Sequence, residues 1–137
     1  MSRTTGGAAE VGLHWVLADW QEGQAAASGQ GEAGAAAGQG DVTWTQRVFD
    51  TLAWTTAGGD FSPVASASAT VAGIGSYTWE STSQLVADVQ GWLDDPDSDH
   101  GWLLQGDKSK TRTAKRFHSD ENDDEAIRPV LMVEYTQ

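Results

Sequence analysis

From Val11 onward the large apolar residues fall on odd positions, Val11, Leu13, Trp15 and Leu17, with Gly12, His14 and Ala18 alternating with them. That period of two predicts a half-buried β-strand. The period changes between 83 and 93, where Leu85, Val89, Trp92 and Leu93 stand at i, i+4, i+7 and i+8. They share one helical face, and Asp88 lies toward the other. Ser81, Thr82 and Ser83 offer an N-cap, Gly91 weakens the helix, and Pro96 bars its extension past Leu93 or Asp94.

The other segments predict sheet and loop. Val64 to Val71 alternates small with hydroxyl-bearing residues, turns at Ala72-Gly73-Ile74-Gly75, and resumes a β-type pattern over 76–79, so a hairpin-like pair is expected. Gly101 to Gln105 predicts a buried strand, Thr111 to His118 another, and Arg128 to Tyr135 a closing strand that Pro129 suits as a start. Between these last two, Ser119 to Ala126 is an acidic loop. Asp41 to Phe61 mixes Trp44, Phe49, Trp54 and Phe61 with the turn residues Gly58-Gly59-Asp60, which predicts irregular backbone pinned by aromatics. Residues 1–9 lack periodicity and are expected to be a disordered N-terminus. Residues 23–40 hold no large apolar side chain, and the five glycines between 29 and 40 predict a mobile surface loop instead of a helix. A single domain over 10–137 is expected. Six strands and one helix without βαβ alternation predict an all-β fold, an antiparallel β-sandwich of the jelly-roll kind with one short α-helix at 83–93.

With 137 residues the chain is long enough for one core and too short for two. The absence of cysteine excludes disulfides and thiolate metal sites and leaves the compartment open. A formal net charge of −12 repels phosphate backbones and anionic membranes, so no nucleic-acid partner is expected. No apolar run approaches bilayer length, and Met1 to Gly7 lacks the apolar stretch of a signal peptide, so no membrane insertion is expected.

Seven tryptophans give the chain its candidate chemistry. Trp15, Trp79, Trp92 and Trp102 sit on apolar faces and are expected in the core. Trp44 and Trp54 lie in irregular segments near glycines, where an indole can serve as a platform for a sugar ring. Lys108, Lys110, Arg112 and Arg116 share one parity, so a strand through them projects a basic stripe. Arg112 and Arg116 can then form bidentate pairs with uronic-acid carboxylates, the alternative being pairing with the acidic neighbours at 94–99 and 120–125. Asp95, Asp97 and Asp99 space oxygen ligands at alternate positions before Gly101, which makes calcium a candidate. The glycine comes one place late for an EF-hand, Pro96 intervenes and no bidentate Glu follows, so a solvated acidic turn is the competing reading. No Gly-x-Ser-x-Gly elbow or His-Glu-x-x-His pair is present, and His14, His100 and His118 are scattered. The carboxylates lie in acidic loops, whereas a glycosidase needs two on rigid cleft walls. A non-catalytic protein that requires no cofactor is expected.

Eight landmarks stand in an order that resembles the DNRLRE family, extracellular β-sandwich modules of bacteria and archaea related to a carbohydrate-binding family with reported affinity for alginate. They are Trp20-Gln21-Glu22-Gly23; Thr43-Trp44; Trp54 with Gly58-Gly59-Asp60; Tyr77-Thr78-Trp79; Asp88-Val89-Gln90-Gly91-Trp92-Leu93; Gly101-Trp102-Leu103-Leu104; Arg116-Phe117-His118-Ser119-Asp120-Glu121; and Arg128-Pro129-Val130-Leu131-Met132-Val133-Glu134-Tyr135. The resemblance spans Val11 to Tyr135 and covers the later part of that domain, so N-terminal strands of the family pattern are expected to be missing. It departs at Asp99, where the family often has Asn, and at Asp120, where Arg often stands, which removes a positive charge beside Glu121. The resemblance implies an extracellular or cell-surface module that binds polysaccharide. The alternative is a structural or adhesive module of a surface protein or filament, completed by β-augmentation from another chain or by self-association.

Overall fold

A computed structural model describes residues 3–4, 6–25, 34–107, 109 and 111–136. Seven short strands and one α-helix follow in the order β1 (Arg3–Thr4), β2 (Ala9–Trp15), β3 (Gln46–Val48), β4 (Leu52–Ala53), β5 (Ala67–Val71), α1 (Ser83–Asp94), β6 (Trp102–Gly106) and β7 (Lys115–Arg116). β2 is the central strand of a three-stranded antiparallel sheet ordered β5-β2-β6, with Leu13 opposite Ala67 on one side and Leu104 on the other. β1 pairs with β7 and β3 with β4 in two antiparallel ribbons. The strands are antiparallel as expected, but they form small separate sheets, and no barrel closes among the described residues.

Helix α1 begins where the expected cap stands, with Thr82 Oγ1 accepting from Leu85 N at 2.9 Å. It ends at Asp94, and Pro96 to Ser98 continue as a single 3₁₀ turn. Gly91 weakens the helix for a reason found in packing. A Cβ there would stand 3.1 Å from Cη2 of Trp15, so the missing side chain lets the helix approach β2 closely.

Asp88 corrects the expected polarity of the helix, because it is wholly buried. Its Oδ2 accepts from Ser66 Oγ and from Trp102 Nε1 (2.8 Å), and its Oδ1 accepts from Gln84 Nε2 (2.9 Å). One carboxylate thereby ties α1 to the approach to β5 and to β6. Thr82 Oγ1 donates to the Ser66 carbonyl, doubling the join at the helix start. Beside this network the rings of Trp15, Trp92 and Trp102 pack in series, with centroids 6.1 and 4.3 Å apart.

The indole N–H groups act as ties. Trp15 donates to Ser98 O, Trp20 to His100 O, Trp54 to Thr43 O and Trp79 to Val11 O, at 2.8–3.3 Å. Buried His14 Nδ1 lies 2.8 Å from Ser62 O, with the ring edge-on to Phe61. Asp41 closes the expected loop: its Oδ1 accepts from Gln24 N (2.7 Å) and Ala25 N (3.2 Å), and its Oδ2 from Gly38 N (2.6 Å). These N–H donors, Gly38 first, hold the carboxyl below its ordinary value. Of the loop expected to be mobile, 26–33 lie outside the described residues, as do Met1, Ser2 and Thr5 of the N-terminal segment.

Four expected strands change. The segment 76–79 does not pair with β5, whose partner is β2; Trp79 is turned to Val11 O, and Tyr77 Oη bridges Ala72 N and Gly73 O. The segment 101–105 forms β6, but at a sheet edge and not buried, with Leu104 exposed. Thr111 to His118 contracts to β7, because Arg112 has φ +60° and breaks the extended run. Arg128 to Tyr135 is no strand: from Pro129 onward it is unpaired among the described residues, and Val130, Leu131, Met132, Val133 and Tyr135 are exposed. A period-two pattern identifies residues suited to a strand and says nothing about whether a neighbour is present to pair with them.

Candidate functional site

An open cleft of about 540 Å³ runs along β6, lined by Val11, Leu103, Leu104 and Phe117 and rimmed by Trp44, Gly58 and residues 112–115. Leu103 and Leu104 are consecutive in a strand and point to opposite faces of the sheet, yet both line the cleft. Its floor is therefore the outer edge of β6. Val11 is reached because its β6 partner is Gly106, which has no side chain to cover it.

The Trp44 rim is built from backbone locks. Thr43 N donates to Gln46 O (2.8 Å) while Gln46 N donates to Thr43 Oγ1 (3.0 Å), closing a tight turn around Trp44. Trp54 pins that turn from behind, through Nε1 to Thr43 O (3.0 Å) and N to Thr45 O (3.1 Å). Across the turn, Gly58 N donates to Trp44 O at 2.6 Å. Gly58 has φ +99°, and a Cβ on it would come within 2.7 Å of the Trp44 ring, so only glycine lets the backbone lie against the indole. Asp60 fixes the same turn by accepting from Thr55 N (2.8 Å) and Thr56 N (2.9 Å), and the Thr55 donor chiefly lowers its pKa. The outcome is a Trp44 side chain that is 60% exposed on a braced support.

Arg112 and Lys115 line the same cleft. The left-handed backbone of Arg112 is seated against Gly6, where a Cβ would collide with the Arg112 carbonyl, and its side chain is exposed. Lys115 Nζ donates to Gly7 O (2.9 Å) and Ala72 O (3.4 Å), which makes it a tie between segments. With Asp107, the charged lining is two cations and one carboxylate, a locally basic spot on an acidic chain.

Of the expected ligand residues, the structure brings Trp44 and Arg112 to one cleft. Trp54 is half-buried and serves as the brace behind Trp44. Arg116 lies in β7, half-buried and off the cleft lining, with contacts of its own. The basic stripe does not form as a strand face: Arg112 turns the chain, and Lys108 and Lys110 lie outside the described residues. Asp95 caps the end of α1, Asp97 falls in the 3₁₀ turn, and Asp99 Oδ1 accepts from Gly101 N at 3.2 Å. Among the described residues no group of three or more acidic or histidine side chains is placed to hold a metal ion. Sequence reasoning missed the apolar floor at Leu103, Leu104 and Phe117. The signal was the pair of consecutive leucines in β6, which a strand buried on one face would not need.

No family model, curated protein or solved structure matches this chain.

Proposed function

We propose that the chain is a non-catalytic, extracellular module that binds polysaccharide along the β6 cleft, as part of a β-sandwich of the DNRLRE kind. A sugar ring stacks on Trp44, whose apolar face and braced backbone suit it to that role. An acidic group on the polymer meets the Arg112 guanidinium, whose planar fork matches a carboxylate. The observation that carries the reading is that Trp44 and Arg112, 68 positions apart in sequence, rim one cleft. Neither contact is buried, so binding is weak and depends on repeated engagement along a polymer. A glycan array tests it: acidic polysaccharides should outrank their neutral counterparts, and a flat response across the array would reject it.

A second reading, a structural or adhesive module completed by strand addition, is favoured by one separate observation, the unpaired apolar segment at 130–135.

A further inference from the structure

The chain after Arg128 carries an unused β-strand. Arg128 is tied down by its Nε donating to Asn122 O at 2.7 Å and its backbone N donating to Glu125 O at 3.3 Å. From Pro129 to Thr136 no backbone N–H or C=O has a partner among the described residues. Exposure alternates over its first four apolar residues, 82% at Val130, 52% at Leu131, 82% at Met132 and 50% at Val133, and is high again at Tyr135, at 79%. An alternation with period two marks extended chain, with one side lying toward the protein and the other fully open. A stretch so apolar, left unpaired, is an interaction surface.

The same chain carries an unused acceptor. The edge of β6 away from β2 makes no hydrogen bond among the described residues, and residues 103–106 line the open cleft. Charges on an edge strand are a usual guard against pairing, but Trp102 to Gly106 has none. Between Val130 and Tyr135 Glu134 is the one charged residue, in a protein whose net charge is −12. The six residues at 130–135 are long enough to span the five of β6. Both are unsatisfied among the described residues, Glu134 is the one charge in either of them, and they are present in every copy without meeting inside one molecule.

We infer that residues 130–135 of one copy add as an antiparallel or parallel strand to the β6 edge of a second copy. The inference rests on the second reading above, and because the β6 edge also floors the sugar cleft, a strand seated there competes with a polysaccharide. Backbone hydrogen bonds to β6 supply the attachment, and the exposed apolar side chains are covered at the same time. Because the bulk of each copy is acidic, association strengthens as salt screens the repulsion.

The test is sedimentation of the full chain over a concentration series reaching about 100 µM, where an interface of micromolar strength is filled. Self-association that rises with salt is expected. Leu131→Pro and Met132→Pro, each removing an N–H and a strand geometry from a segment outside the core, should abolish it without lowering the melting temperature. A synthetic peptide of residues 128–136 should compete. Self-association untouched by both variants and by the peptide would overturn the strand while leaving a structural module standing. A monomer at every concentration would overturn the strand and self-association together. A monomer whose melting temperature falls in the proline variants would show pairing within one chain, and so also overturns the inference.

Discussion

Trp102 on β6 donates its indole N–H to the carboxylate of Asp88 on α1 at 2.8 Å, joining helix to sheet through a wholly buried acid. Asp88→Ala leaves three donors, from Ser66, Gln84 and Trp102, facing a cavity, and should cost about 3 kcal/mol or more. Asp88→Asn keeps an acceptor for Ser66 and Trp102, and Gln84 can turn its amide to receive the new N–H, so a loss of about 1 kcal/mol is expected. Urea unfolding of the two variants checks the ranking.

Trp92 and Trp102 pack against each other but use their N–H groups differently. Trp92 Nε1 is buried without a partner among the described residues, whereas Trp102 Nε1 holds Asp88. Trp92→Phe removes an unsatisfied donor along with some ring area, while Trp102→Phe removes ring area and one of the donors to the Asp88 side chain. Trp102→Phe should therefore be the more damaging by about 1 kcal/mol, measured by denaturant unfolding.

Asp41 sets an acid sensitivity. Its carboxyl is held below the ordinary aspartate value of 3.8 by the N–H groups of Gly38, Gln24 and Ala25. A folded-state pKa lower than the unfolded one means the ionised form stabilises the fold. That contribution is complete above the unfolded value and is lost as pH falls through the folded one. Melting temperature followed from pH 6 downward should fall in the native chain near and below 3.8, and the gap to Asp41→Asn should narrow over the same range. Gly23→Ala should resemble the Asn variant at neutral pH, because its Cβ would fall on Asp41 Oδ1.

Gly58→Ala links backbone to site. The residue sits at φ +99°, which costs a non-glycine about 1–3 kcal/mol, and the new methyl would press on the Trp44 ring. The ring is exposed and can swing away, so the chain should still fold with sugar binding weakened about tenfold. Calorimetric titration beside a melting curve separates the two effects.

Much of the local structure was legible in the sequence. The helix at 83–93 followed from its spacing, its Thr82 cap and Pro96, and β2 followed from alternation at Val11, Leu13 and Trp15, because both depend on nearby residues. Asp88 was misplaced because helical spacing assigns a face, and a carboxylate belongs on the buried face only when donors such as Ser66 and Trp102 arrive from distant segments. Trp54 looked as suitable a platform as Trp44. What separates them is a hydrogen bond from Trp54 Nε1 to the carbonyl of Thr43, a relation between two loops that no spacing encodes. The closing strand was legible as a strand sequence, but its pairing depends on a neighbour that the described residues do not supply.

The cleft lined by Trp44 and Arg112 is probed by affinity electrophoresis through gels containing an acidic polysaccharide. The native chain should be retarded. Trp44→Ala should lose most of that retardation, about tenfold in affinity or 1.4 kcal/mol, and Arg112→Ala should lose it chiefly at low salt, its gap to the native chain closing as salt screens the Arg112 contact. Retardation of the native chain that survives Trp44→Ala and Arg112→Ala together, or no retardation in any acidic gel, would contradict the account.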